Sequence, residues 1–118
     1  MSIDLEALYI DLHRHPELSF QETRTAGVIA RELDGLGLDY TEGIGKTGVW
    51  LRAFMVALPV KVQMGVGGAA TARGVAPAGT DVPVMHACGH DMHVTALLGA
   101  LERLVATKDE WAGTVVAV

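Results

Sequence analysis

A chain of 118 residues, half of them hydrophobic, is long enough for one domain with a modest core and too apolar for a disordered segment. Fourteen acidic against nine basic side chains give a net charge of −5, so there is no basic footprint for a nucleic acid or an anionic membrane as partner. The longest apolar run, Ala53 to Val60, falls far short of the roughly 20 residues of a membrane span. No basic-then-apolar leader opens the chain, and its single cysteine suits a reducing compartment, so a soluble cytoplasmic protein is expected.

Leu5, Leu8 and Leu12 recur at helical spacing behind Ser2, an N-cap residue type, and Pro16 stops the pattern. Ser19-Phe-Gln-Glu22 has the form of a capping box for a second helix. Ala26, Ile29, Ala30 and Leu33 supply that helix's apolar stripe, and Gly35 and Gly37 end it. Leu38 to Glu42 reads as a short strand, Gly43 and Gly45 as a turn, and Gly48 to Val60 contains a stretch suited to a buried strand.

Residues 65–80 are rich in Gly and Ala, lack periodicity and read as a mobile loop. Val82 to Met85 then reads as a short strand. Val94, Leu97, Leu98, Leu101, Leu104 and Val105 fall at steps of three and four, the buried face of a third helix. Thr114 to Val118 starts another apolar strand. Helices alternating with apolar strands imply an α/β layer with at least partly parallel pairing.

The chemistry concentrates in residues 85–93, Met-His-Ala-Cys-Gly-His-Asp-Met-His. Cys88 and His90 flank Gly89, and thiolate and neutral imidazole are ligands that borderline divalent metals prefer. Glycine allows a turn tight enough to bring both toward one ion. A helix starting near Asp91 puts its positive end beside Cys88, which favours an anionic sulfur. Asp91 is placed to hydrogen-bond a ligating imidazole and fix its tautomer. His86 and His93 flank the pair as candidates for metal, for substrate or for neither.

A bland reading stands beside each of these. A lone cysteine is usually a small buried hydrophobe, and a surface histidine is usually just solvated. Crowding three histidines, a cysteine and an aspartate into eight residues at a helix start outweighs that reading for the segment. Two ligands, however, are fewer than the three or four of a zinc-type site. His13-Arg14-His15 reads as a cationic end complementing the first helix's dipole, and Glu22 as a capping partner rather than a general base. No phosphate-binding G-x-x-x-x-G-K-[ST] and no G-x-S-x-G elbow is present.

Several blocks taken together resemble a known family. They are Asp11-Leu-His-Arg-His-Pro-Glu-Leu-Ser-Phe-Gln-Glu22 with Thr25-Ala26, Thr47-Gly-Val49, Leu51-Arg-Ala53, Ala57-Leu-Pro59, Val82-Pro-Val-Met-His-Ala-Cys-Gly-His-Asp-Met-His93 and Trp111-Ala-Gly-Thr-Val-Val116. In this order they resemble the peptidase M20 family, in the amidohydrolase branch of hippurate hydrolase, N-acyl-amino-acid amidohydrolases and auxin-conjugate hydrolases.

The resemblance implies a fold: residues 1–118 as the truncated N-terminal part of a zinc-peptidase-like α/β sandwich, a mixed sheet flanked by helices, without the lid domain that mediates dimerisation. It also implies two metal ions, manganese or zinc, and a small-molecule N-acyl amino acid as substrate. Cys88 and His90 match the family's first two metal ligands. In the complete enzymes the metals polarise the scissile carbonyl and activate a water, whose proton a glutamate takes. That glutamate and the remaining ligands lie beyond the matched blocks, so no catalytic residue is assigned here and the isolated chain is expected to be inactive.

The chain departs from the family pattern twice. Phe54 and Val56 stand where the family has two aspartates, and only Trp50 separates Val49 from Leu51 where the family has a hairpin. Two other readings remain: a non-catalytic structural or interaction module pairing through its last strand, as in a homo-oligomer, and a redox role for the Cys88 thiol.

Overall fold

The computed structural model describes residues 2–44, 48–49 and 70–117. Three helices carry it: α1 (Leu5–Arg14), α2 (Thr23–Leu36) and α3 (His90–Ala106). Between them lie β1 (Glu42–Ile44), β2 (Gly48–Val49), β3 (Arg73–Val75) and β4 (Asp81–Pro83), and a single 3₁₀ turn, Lys108–Glu110, follows α3.

Helix α1 starts at the first of its leucines, Leu5, and later than a cap at Ser2 would set it. Asp4, not Ser2, is the cap, and its carboxylate accepts the Ala7 amide at 3.0 Å. The helix ends at Arg14, two residues before Pro16, and His15 Nδ1 lies 2.8 Å from the Asp11 carbonyl. That contact is the carbonyl capping expected of this basic cluster.

The capping box does not form at α2. Glu22 occupies the cap position, but no side chain there bonds the helix, and Ser19 is exposed. Glu17 reaches in from the loop instead and accepts the amides of Arg24 at 3.0 Å and Thr25 at 2.7 Å. A carboxylate five or six residues upstream of the first turn can satisfy its orphan amides as well as a local cap can. At the other end Gly35 stays helical and Gly37 makes the stop. With φ at 68°, Gly37 lets its own amide bond Asp34 at 3.0 Å and the Leu38 amide bond Leu33 at 3.1 Å, the paired closure that a left-handed glycine permits.

The three helices share one core. Leu8 and Leu12 from α1, Val28, Ile29 and Leu33 from α2, and Val94, Leu98 and Leu101 from α3 are all buried. Each such side chain is worth roughly 1.5–3 kcal/mol of burial before entropy is counted. Helices α1 and α3 cross closely at Gly99, where an added Cβ would sit 2.9 Å from Leu5 Cδ1.

Strands β1 and β2 pair antiparallel, Glu42 opposite Val49. The first strand is therefore shifted from the expected 38–42 to 42–44, and Gly43 belongs to the strand rather than to a turn. Strands β3 and β4 form a second antiparallel pair, Gly74 opposite Val82. The expectation of an unstructured loop over 65–80 thus fails at 73–75: small residues leave little periodicity but do not prevent a hairpin whose ladder is made by backbone groups. Leu18 and Val84 are buried together under this hairpin.

Residues 114–117 form no ladder among the described residues, and Val115 and Val116 stay exposed, so the strand expected there is not made. Apolar character alone does not make a strand; a partner edge is also needed. Both described ladders are antiparallel; of the range 48–60 expected to contain a buried strand, Gly48–Val49 form β2 and the rest, with Trp50, Phe54 and Val56, lies outside the described residues. No helix among the described residues is long and apolar enough to cross a membrane.

Candidate functional site

Strand β4 ends at Pro83, and five residues later the chain reaches the turn that begins α3. Gly89 caps that helix with φ at 77°, a left-handed conformation that strains any residue with a Cβ. The glycine between Cys88 and His90 therefore stands at a backbone conformation that its residue type permits. Cys88 is exposed and His90 partly exposed, so neither is packed into a dry interior. His90 opens α3, one residue earlier than the sequence suggests.

His93 is exposed, three residues along the same helix, with its ring centroid 6.3 Å from that of His90. Asp91 behaves differently. Its side chain is 3% exposed, its Oδ1 accepts the Met92 amide at 3.0 Å, and its carbonyl accepts the Thr95 hydroxyl at 2.8 Å. Its Oδ2 lies 2.6 Å from Nδ1 of His13, in the last turn of α1. An ionised carboxylate can only accept, so His13 donates. This corrects the reading of His13 as a helix-end cation: the terminal carbonyl is served by His15, and His13 reaches another element altogether.

His86 is buried, and neither of its ring nitrogens has a hydrogen-bond partner among the described residues. Burial disfavours its charged form and holds its pKa below the ordinary value of 6.5. The charge of Asp91 opposes this shift, His13 and His90 reinforce it, and Glu17 opposes it weakly. Those influences place His86 within electrostatic reach of the His13–Asp91 pair and of His90. A neutral imidazole is also the form that can bind a metal or accept a proton.

Of the residues singled out in the sequence, Cys88, His90, Asp91, His86 and His93 all lie on the approach to α3 or in its first turn. Among the described residues no three ligand-type side chains gather as a metal site would require. The residues that sequence reasoning left out are His13 and Glu17, both within the first family-like block, 11–22. Membership of that block was their only signal, since nothing local to residue 13 points 78 positions ahead.

No protein-family model matches the chain. Among curated proteins, IAA-amino acid hydrolase ILR1-like 6 of Arabidopsis thaliana is 38% identical over 117 residues, 89% of this chain and 23% of that protein. A protein of Rhodococcus jostii (strain RHA1) named for glutamate–cysteine ligase activity is 45% identical over 103 residues, 76% of this chain but 12% of its own length. Among solved structures, the YXEP protein of Bacillus subtilis, described as a dinuclear metal binding peptidase from the M20 family, superposes with a TM-score of 0.74 at 31% identity. That match covers 92% of this chain and 32% of the YXEP chain. The chain thus spans from about an eighth to about a third of the length of these proteins.

The helices and small sheets thus form an α/β unit of the kind found within M20 peptidases. The chain's relatives include amidohydrolases and its structural neighbour is a peptidase of the M20 family, and the chain covers a small part of each.

Proposed function

We propose that this chain is the N-terminal part of a metal-dependent amidohydrolase that cleaves the amide bond of N-acyl amino acids, with Cys88 and His90 as two of its metal ligands. The observation that carries the reading is the left-handed turn at Gly89, with a sulfur and an imidazole on either side of it and both within reach of solvent. This donor set suits zinc, with manganese the alternative that the family resemblance implies, and it supplies half of a four-ligand site. A bound divalent metal would act as a Lewis acid toward the scissile carbonyl and make a nucleophile of water.

This chain's own contribution is to hold and orient. Gly89 sets the turn, the N-terminus of α3 favours negative charge beside it, and Asp91 fixes the helix's first turn from within. His86 and His93 are candidates for metal, for substrate or for neither. The substrate is a small molecule, and the setting is a soluble, cytoplasmic enzyme.

With two ligands and no catalytic glutamate, the 118-residue chain by itself is proposed to bind metal weakly and to turn over negligibly. Calorimetric titration with zinc and with manganese tests this, together with an assay of amino acid release from N-acyl amino acids such as N-benzoylglycine. Weak saturable binding that Cys88→Ala abolishes, with no release above buffer, is expected. Unchanged affinity in Cys88→Ala removes that ligand from the account, and metal-dependent release by the chain alone overturns the claim that it is incomplete.

A further inference from the structure

We infer that His13 is a positioning residue for the Cys88–Gly89–His90 turn, acting through Asp91; its bearing on metal rests on the reading that this turn holds one. Gly89 gives the turn its shape but no stiffness, because glycine is the residue that constrains the backbone least. Whatever stiffness the turn has comes from the first turn of α3, where His90 and Asp91 lie.

Asp91 is tied down within its own helix by the Met92 amide on Oδ1 and the Thr95 hydroxyl on its carbonyl. Both of those bonds move with α3. The hydrogen bond of Oδ2 with His13 Nδ1, at 2.6 Å, links the same carboxylate to a different element, and it does so where the Asp91 side chain is 3% exposed. In that setting water does not readily reach the carboxylate to replace a lost donor. The His13 ring is itself held by Tyr9, one turn back on α1, with centroids 5.7 Å apart and planes 36° from each other.

The packing of α1 on α3 does not depend on this bond, since Leu8, Leu12, Val94 and Leu98 form one buried cluster without it. What the bond adds is the rotational setting of the first turn of α3, and with it the direction in which the neighbouring Cys88 and His90 present their ligand atoms. Partners of this kind typically change metal affinity by about 10–100-fold when they are lost.

The test compares the wild-type chain with His13→Leu and His13→Asn, because an asparagine amide nitrogen stands where Nδ1 stood and keeps the donor. Each is titrated with Co(II), following the sulfur-to-cobalt charge-transfer band, and amide hydrogen exchange is measured on the metal-free chains. His13→Leu is expected to weaken Co(II) binding by about 10–100-fold, to dim the band, and to speed exchange in the first turn of α3 but not in α2. His13→Asn is expected to restore both. Should the wild type give no band, the metal reading fails, and exchange alone decides the positioning role. Wild-type exchange in His13→Leu, equal loosening throughout the chain, or failure of His13→Asn to restore the first turn each overturns the inference.

Discussion

One oxygen of Glu17 takes both the amide and the hydroxyl of Thr25, at 2.7 Å each, while the other oxygen takes the Arg24 amide at 3.0 Å. A loop carboxylate thus does the capping that α2 lacks from its own first residues. Replacing it by alanine leaves two helix amides without their partner, so Glu17→Ala is expected to lower the unfolding free energy by about 1–2 kcal/mol. Glu17→Gln, which keeps an acceptor, should lose less. Urea unfolding followed by circular dichroism reads the difference, provided the slopes agree.

The shared helical core predicts a sharp contrast between positions. Leu98 is 1% exposed at the centre of the three helices, and Leu98→Ala should cost about 2–5 kcal/mol. Val116 is 68% exposed, and Val116→Ala should shift stability by no more than about 0.5 kcal/mol. Similar midpoints for the two variants would mean that the core has been placed wrongly.

Gly89 holds φ at 77°, and Gly89→Ala forces a Cβ into that region at a cost of about 1–2 kcal/mol. The loss should appear as a lowered thermal midpoint, with faster amide exchange concentrated around the start of α3. Uniform exchange would argue that the turn relaxes to a right-handed conformation without consequence.

His86 supplies a pH dependence with a definite sign. Burial lowers its folded-state pKa below the ordinary 6.5, so near that pH the unfolded chain takes up a proton that the folded chain resists. Its contribution is therefore fully present above the unfolded-state value and is lost as pH falls toward the lowered folded-state value. The urea midpoint of the wild type should drop between about pH 7.5 and about pH 5.5, and His86→Leu should show a smaller drop over the same interval. Parallel behaviour of the two chains would exclude His86 as the group responsible.

The helices were legible because each one carries its instruction locally. The stripes at Leu8 and Leu12, at Ile29 and Leu33, and at Val94, Leu98 and Leu101 needed no partner to be read. The caps were less legible: Glu17 serves α2 from outside its first turn, and a local pattern such as Ser19 to Glu22 cannot compete with a better acceptor that arrives by chain path. Strand positions depended on pairing, which is why 73–75 became a strand without any periodicity and the apolar 114–117 did not.

Within the site, the crowding of Cys88, His90 and Asp91 was readable, as was the need for glycine at 89. His13 was not, because its partner is 78 residues away and its place at a helix end offered a sufficient local explanation. His86 was marked as a flanking candidate, but its burial without a hydrogen-bond partner emerges only from the folded chain.

X-ray absorption on the zinc-loaded chain tests most directly whether Cys88 and His90 share one ion. One sulfur scatterer at about 2.3 Å with imidazole nitrogen at about 2.0–2.1 Å is predicted, the sulfur lost in Cys88→Ala and the imidazole signal reduced in His90→Ala. A first shell of oxygen and nitrogen alone, identical in wild type and Cys88→Ala, would contradict it.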